Sequence, residues 1–458
     1  MEMKKKKIQR QHEVTLRQRL PVLAFMILCF LTVQTARANP NSAQVINGTV
    51  SFSTQGNVLT VTNSPNAIIN WQSFSINANE TTRFIQQNSS SAVLNRITGQ
   101  NPSVILGSLQ SNGRVFLLNP NGIVFGQGSQ IDVGGLVAST LNLSNSDFLS
   151  GNYNFVTGAN AGSIQNQGTI TTPGGGHVYL IAPDIENTGI IKSPQGNVLL
   201  AAGHSVQLVD SSDPEIAIVV SAPADQAVNL GQILAASGNI GIYAGLIRQS
   251  GIVNADSAVV GKDGQITFKA TQKITLDEGS ITSANGSDGG TITISSTTGA
   301  TLVSGTVQAT GSETAGGNVQ VLGDEIRISD AALIDASGRT GGGTILIGGD
   351  YQGLNAAVQN AETTYVGAKT IINADALETG NGGKVIVWSD GDTSFSGTIT
   401  ARGGSISGDG GFVETSGHAL SIGNAARVDT SARNGQTGSW LLDPADLTIA
   451  ASGGDITG

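Results

Sequence analysis

The chain has 458 residues and a formal net charge of −10. Eight of its 23 basic and two of its 33 acidic residues fall in the first 38 positions, so the remainder carries about −16, without the basic footprint that nucleic-acid binding requires. Glycine reaches 62 residues but does not recur at every third position, which excludes collagen, and Val, Ile and Leu are too frequent for a disordered chain.

The first element is a signal. Basic residues run to Arg19, and the apolar stretch "LPVLAFMILCFLTV" follows from Leu20 to Val33. Then come Ala36, Arg37 and Ala38, with small residues where a signal peptidase reads, placing cleavage before Asn39. The apolar core is short for a membrane span. Residues 1–38 are therefore read as a signal peptide with an extended basic region. Cys29, the only cysteine, and all three methionines lie within it. The mature chain is left without disulfides, although it is exported.

Residues 39–160 form a block without clear periodicity. Trp71 and Phe74 are assigned to its core. Within it, "GRVFLLNPNGIVFG" reads as strand, turn, strand. Asn119-Pro120-Asn121-Gly122 supplies a fixed φ at the second turn position, flanking side chains that bond their own backbone, and a closing glycine. Such a block suits a capping, nucleating unit at the start of a solenoid.

Residues 161–458 repeat. "GTITTPGGGHVYLIAPDIEN" at 168 returns as "GIIKSPQGNVLLAAGHSVQL" at 189. A longer phrase starts at 265, 291, 318 and 344, then at 384, 412 and 440. The wide gap after 344 holds one repeat plus an insertion around "GLNAAVQNAETTYVGAKT". Each unit carries three short alternating runs, such as Val319–Leu322, Ile326–Ile328 and Leu333–Asp335, separated by polar turns. Alternation means half-buried strands. Three strands and three corners per unit describe one coil of a right-handed parallel β-helix, a pectin-lyase-like solenoid of all-β class. About 16 to 18 coils are expected, with aliphatic ladders inside and Thr, Ser, Asn and Gln outside. A β-sandwich would alternate too, but would not repeat in register. The chain stops at "ASGGDITG", which reads as the start of another repeat, so the shaft is expected to continue or to be truncated.

No catalytic or metal site is expected, and no cofactor. There is no G-x-S-x-G, no Walker loop and no G-x-G-x-x-G. His177, His204 and His418 show no ligand spacing. The acidic pairs Asp277-Glu278, Asp324-Glu325 and Asp390 with Asp392 sit at or near glycine-rich corners, where acids are ordinary turn formers. The sequons at Asn47 and Asn88 are weak in so Asn-, Ser- and Thr-rich a chain.

The runs "INWQSFSI", "VLNRITGQNPSVILGSLQSNGRVFLLNPNGIVFG" and "GGLVASTLNL" resemble the N-terminal secretion domain of filamentous haemagglutinin-like exoproteins of two-partner secretion, in particular the high-molecular-weight adhesin branch. Asn119-Pro120-Asn121-Gly122, followed by Ile123, matches the family's signature motif. A second Asn-Pro-Asn-Leu motif found in some members is replaced by "QNPSVIL", and no role is transferred to that spot. "GGFVETSGHALSI" and "GSWLLDPADLTI" resemble repeats of the same exoproteins. The resemblance implies an adhesin-type exoprotein that crosses the periplasm unfolded. An outer-membrane β-barrel transporter with POTRA domains would recognise its secretion domain, and the chain would fold at the surface. It further implies Asn119 to Ile123 as a recognised or structurally required turn, and host or surface glycans or proteins as ligands. The alternatives are a β-helical polysaccharide-active enzyme, an autotransporter passenger, and the N-terminal fragment of a contact-dependent toxin-delivery protein.

Overall fold

A computed structural model describes residues 39–158, 161–208, 225–258, 261 and 263–444. The signal segment, with Ala36 and Ala38, lies outside them. The described residues fold as a parallel β-helix with three faces, joined in a 38-stranded sheet. The first face stacks fourteen strands in parallel, from Ala67–Trp71 to Ser439–Leu441. At about 4.8 Å per step that is a rod of roughly 62 Å. The 16 to 18 coils expected for the mature chain thus become fourteen rungs among the described residues. Among the described residues, a capping hairpin, an outer layer and a lateral loop depart from the regular coil.

The repeat phrases lie in register. Ile266, Ile292, Val319, Ile345, Val385 and Val413 form one inward column. Each is buried and worth roughly 1.5–3 kcal/mol of apolar transfer. Glycine pairs allow this stacking at the corners: a Cβ on Gly343 would lie 2.2 Å from the Gly317 carbonyl oxygen of the coil before.

The aperiodic block is part of the same helix. Ala67, Val93, Val115, Leu136 and Val178 occupy one column, but unequal coil lengths hide the period. Only the first turn differs in kind. Val50–Gln55 runs antiparallel to Val58–Asn63, and Gln44–Asn47 antiparallel to Ala67–Trp71. Within the expected insertion, Thr363–Val366 is a regular rung; the extra chain precedes it, around the short 3₁₀ turn Tyr351–Gly353.

The expected polar exterior needs correction over the first six strands of the first face. Outward positions there include Ile68, Leu94, Phe116, Leu118, Val137, Ile181 and Leu199, and all are buried. An outer layer covers them: the helix Asn145–Ser150 and a three-stranded antiparallel sheet of Asn142–Leu143, Tyr153–Val156 and Ser205–Leu208. Phe148 and Tyr153 lie edge-on and tilted against Phe116, with centroids 5.1 and 5.2 Å away.

Candidate functional site

The turn at 119–122 is a corner between the first face and the face that follows it in the chain, on which Ile123–Phe125 stacks between Ser103–Ile105 and Ile164–Asn166. Its flanking strands, Ser108–Leu118 and Ile123–Phe125, do not pair with each other. The Gly122 N–H donates to the Asn119 carbonyl at 3.1 Å and closes the turn. The Asn121 N–H donates to Asn119 Oδ1 at 3.0 Å, so the Asn119 side chain braces the turn from inside. Gly122 has φ +116°, a conformation that L side chains rarely adopt.

The corner is bonded on both sides. Asn119 Nδ2 donates to the Asn101 carbonyl and to Ser103 Oγ, each at 3.0 Å. Asn121 Nδ2 donates to the Gly99 carbonyl at 2.9 Å. The Ser103 N–H donates to the Gly122 carbonyl at 3.0 Å. Toward the next coil, Gly162 N–H donates to the Pro120 carbonyl at 2.7 Å and Ile123 N–H to the Ser163 carbonyl at 3.1 Å. The "QNPS" segment, which received no role from the sequence, is therefore the seat of the turn. Asn119 and Ile123 are 0% exposed and Gly122 is buried; Asn121 is exposed and Pro120 partly so. Two of the five motif residues thus present surface.

Trp71 and Phe74 lie at the N-terminal mouth of the core, each 1% exposed. Phe52 of the capping hairpin meets Trp71 edge-on at 5.7 Å, Trp71 meets Phe74 at 5.7 Å, and Phe74 stacks on Phe84 at 6.4 Å. Trp71 Nε1 donates to Asn95 Oδ1 at 2.9 Å, which satisfies its one polar atom. Phe52 was not found from the sequence, because the hairpin's alternation is polar and carries it alone. Above this plug, Val45, Ile46 and Phe52 are exposed on strands that pair on one side only. Asn39, the first described residue, accepts a hydrogen bond from Thr82 Oγ1 at 3.1 Å.

Arg96 and the outer layer were also missed. Its guanidinium donates to Asn145 Oδ1 and to the Leu143 carbonyl, both at 2.7 Å, and burial lowers its basicity. The available signal was the near-continuous apolar runs at 115–118, 136–138, 178–182 and 198–202, which mark strands covered on both faces.

The acidic pairs do not converge. Asp277 accepts from Arg248 at 2.7 Å and from Ser250; burial works to raise its pKa, but these bonds and the Arg248 charge hold it below the ordinary carboxylate value. Asp324 accepts from Gln359 at 2.9 Å, and Asp390 from Asn360 at 2.9 Å and Trp388 at 3.0 Å. Glu278, Glu325 and Asp392 are exposed. His204 pairs with Asp225 at 3.2 Å, His177 lies against Tyr179 at 5.7 Å, and His418 is exposed. Among the described residues no group of three His, Cys, Asp or Glu could hold a metal.

Comparison with known proteins adds four findings. A family model described as the TPS secretion domain matches residues 36–294. A heme/hemopexin-binding protein of Haemophilus influenzae strain Rd is 32% identical over 237 residues, which are 49% of this chain and 26% of that protein. A second protein of that name from Haemophilus influenzae is 34% identical over 142 residues, 30% of this chain and 15% of that protein. The chain thus spans about a quarter or less of these curated relatives. Among solved structures, the HMW1 secretion domain from Haemophilus influenzae is similar at 36% identity and a TM-score of 0.72, over 88% of this chain and 100% of that one.

Proposed function

The chain belongs to the two-partner-secretion exoproteins, and from that premise we propose that it is a non-enzymatic, adhesin-type exoprotein whose residues 39–160 are the transporter-recognition and folding-nucleation unit and whose residues 161–458 form the shaft. Exoproteins of this family are secreted across the outer membrane, and the secretion domain implies a transporter partner there. In this reading the partner is a barrel with POTRA domains. Its contact is strand addition along the unpaired outer edges of Gln44–Asn47 and Val50–Gln55, where Val45, Ile46 and Phe52 face solvent.

The observation that carries the reading is the construction of the N-terminal unit. Its mouth is plugged by aromatic side chains, its first turn is antiparallel, and the motif turn fastens the coil before to the coil after. Nearest-neighbour stacking lets the following coils add in order. The motif acts mainly through shape, since Asn119 is wholly internal. Co-expression with the partner transporter tests this. Asn119→Ala leaves Asn101 and Ser103 unpaired, costs about 1–3 kcal/mol, and lowers both refolding stability and secreted yield. Asn121→Ala, on the surface, lowers them less. A normally folding Asn119→Ala with wild-type secretion, or a secretion loss confined to Asn121→Ala, would reverse the assignment.

A second reading follows from the curated relatives, both named for heme/hemopexin binding. Binding of heme–hemopexin by the purified exoprotein, set against its adherence to host cells, separates the two ligands.

A further inference from the structure

The loop at 350–360 leaves the coil that begins at Thr344 and lies across the flank of the rod. Its contacts reach much further along the chain than one coil. Backward, Gln359 Nε2 donates to Asp324 Oδ1 at 2.9 Å and to the Thr297 carbonyl at 3.3 Å. Forward, Lys384 pairs with Asp350, and the Tyr351 ring meets Phe412 at 5.8 Å. The Gln352 N–H donates to both oxygens of the buried Glu414 carboxylate at 3.3 Å, 62 residues away. Gln352 Nε2 donates to Asp443 Oδ2 at 3.0 Å, 91 residues away. Gln352 is held at φ +52° to make this reach. The coils engaged begin at 291, 318, 344, 384, 412 and 439, which are consecutive rungs of the first face.

A solenoid coil normally contacts only its two neighbours, so unfolding can stop at any rung. A single loop bonded to five coils besides its own removes that freedom, because opening a rung at either end breaks bonds to the loop. From this geometry we infer that residues 350–360 are a lateral clasp that makes the coils from 291 to 443 open and close as one cooperative unit. If the coils add in order from the N-terminal unit, as proposed above, the clasp closes only once Asp443 is in place; the cooperative unit itself is a property of the purified protein and does not depend on that order.

Native-state hydrogen exchange on the full chain, followed by mass spectrometry across a denaturant series, tests it. In the wild type, amides of 291–296, 318–322, 384–388 and 412–416 are expected to share one opening isotherm. Two variants cut the clasp: replacement of 350–359 by a short Gly-Ser turn removes all its bonds, and the double change Gln352→Gly with Gln359→Ala removes the side-chain bonds to Asp443, Asp324 and Thr297 while leaving the backbone bond to Glu414. In the loop replacement exchange at 412–416 and 439–441, and in the double variant exchange at 439–441, should quicken on the order of tenfold or more, as expected for losing one or two hydrogen bonds, while 291–296 stays slow. Strands 114–118 and 135–139 report that the variant is folded. If the loop replacement does not fold, the double variant decides. A graded, rung-by-rung wild type, or an unsplit isotherm in a folded variant, overturns the clasp.

Discussion

The first face of this β-helix is built in two ways. From Ala67 to Ala202 its strands are buried on both sides, inward against the common core and outward against the layer of Asn145–Ser150 and its small sheet. From Gln265 to Leu322 the same face is buried inward, while outward side chains such as Thr267, Thr293 and Gln320 are partly exposed. The hydrogen-bonded ladder is common to both. The difference teaches that the ladder sets the architecture, while side-chain burial on the outer surface sets which region is anchored as a domain. The corners are alike: asparagine side chains brace those at 119–122 and 99–103 as they do the later ones at 254–256 and 373–375, and close glycine stacking occurs in both regions.

The sharpest way to break this comparison is a pair of substitutions at outward sites of the first face. Phe116→Ala should cost about 3–5 kcal/mol, the value for a core aromatic, because the ring is covered by Phe148 and Tyr153. Thr293→Ala should stay within about 0.5 kcal/mol. Equilibrium denaturation followed by tryptophan fluorescence and circular dichroism measures both, and equal costs would dissolve the distinction.

A smaller effect is expected where the two regions meet. Asn166, Asn187, Asn229 and Gln249 form a buried ladder, each Nδ2 donating at 2.7 Å to the next side-chain oxygen. In the same column the chain has Phe125 before and Leu276, Val303 and Ile328 after. Asn187→Leu should cost about 1–3 kcal/mol, since it leaves Asn166 and Asn229 unpaired. Changing all four to aliphatic residues should restore most of that loss, because the column then matches the shaft. A quadruple variant as unstable as the single one would show that the ladder is required in itself.

The smallest effect is electrostatic and lies in the shaft. Glu414 is 0% exposed, and burial pushes its carboxyl above the ordinary value against the hydrogen bonds from Gln352 and Ser416. Its folded-state pKa exceeds the unfolded one, so its ionised form weakens the fold. Stability at this site should rise as pH falls through the folded value. Glu414→Gln, which keeps an acceptor for the Gln352 N–H, should be at least as stable as wild type at neutral pH and show a flatter profile between pH 7 and 4. A less stable Gln variant at neutral pH would mean that the charge contributes favourably to the clasp.

Much of the fold was legible in residue order. Alternation fixed the inward columns, the returning phrase fixed their register from 265 onward, and the Asn-Pro-Asn-Gly pattern marked a turn. Irregular coil lengths hid the register before 182, where Ala67, Val93, Val115 and Leu136 stack without an even spacing. Of the candidate site, Trp71 and Phe74 were legible as core. The burial of Asn119 was not, because it depends on Asn101 and Ser103 lying on the neighbouring coil.

What the sequence by itself determined was therefore the local rule: strand, corner, strand, with a coil's worth of chain between equivalent residues. That rule is carried by neighbours in sequence and by nearest coils, so periodicity reports it. The tertiary structure alone decided which outward surface is covered, which loop crosses which coils, and which asparagine is internal. These features join residues such as Gln352 and Asp443 across 91 positions. No spacing rule encodes them, because they depend on where the completed rod brings its surfaces together.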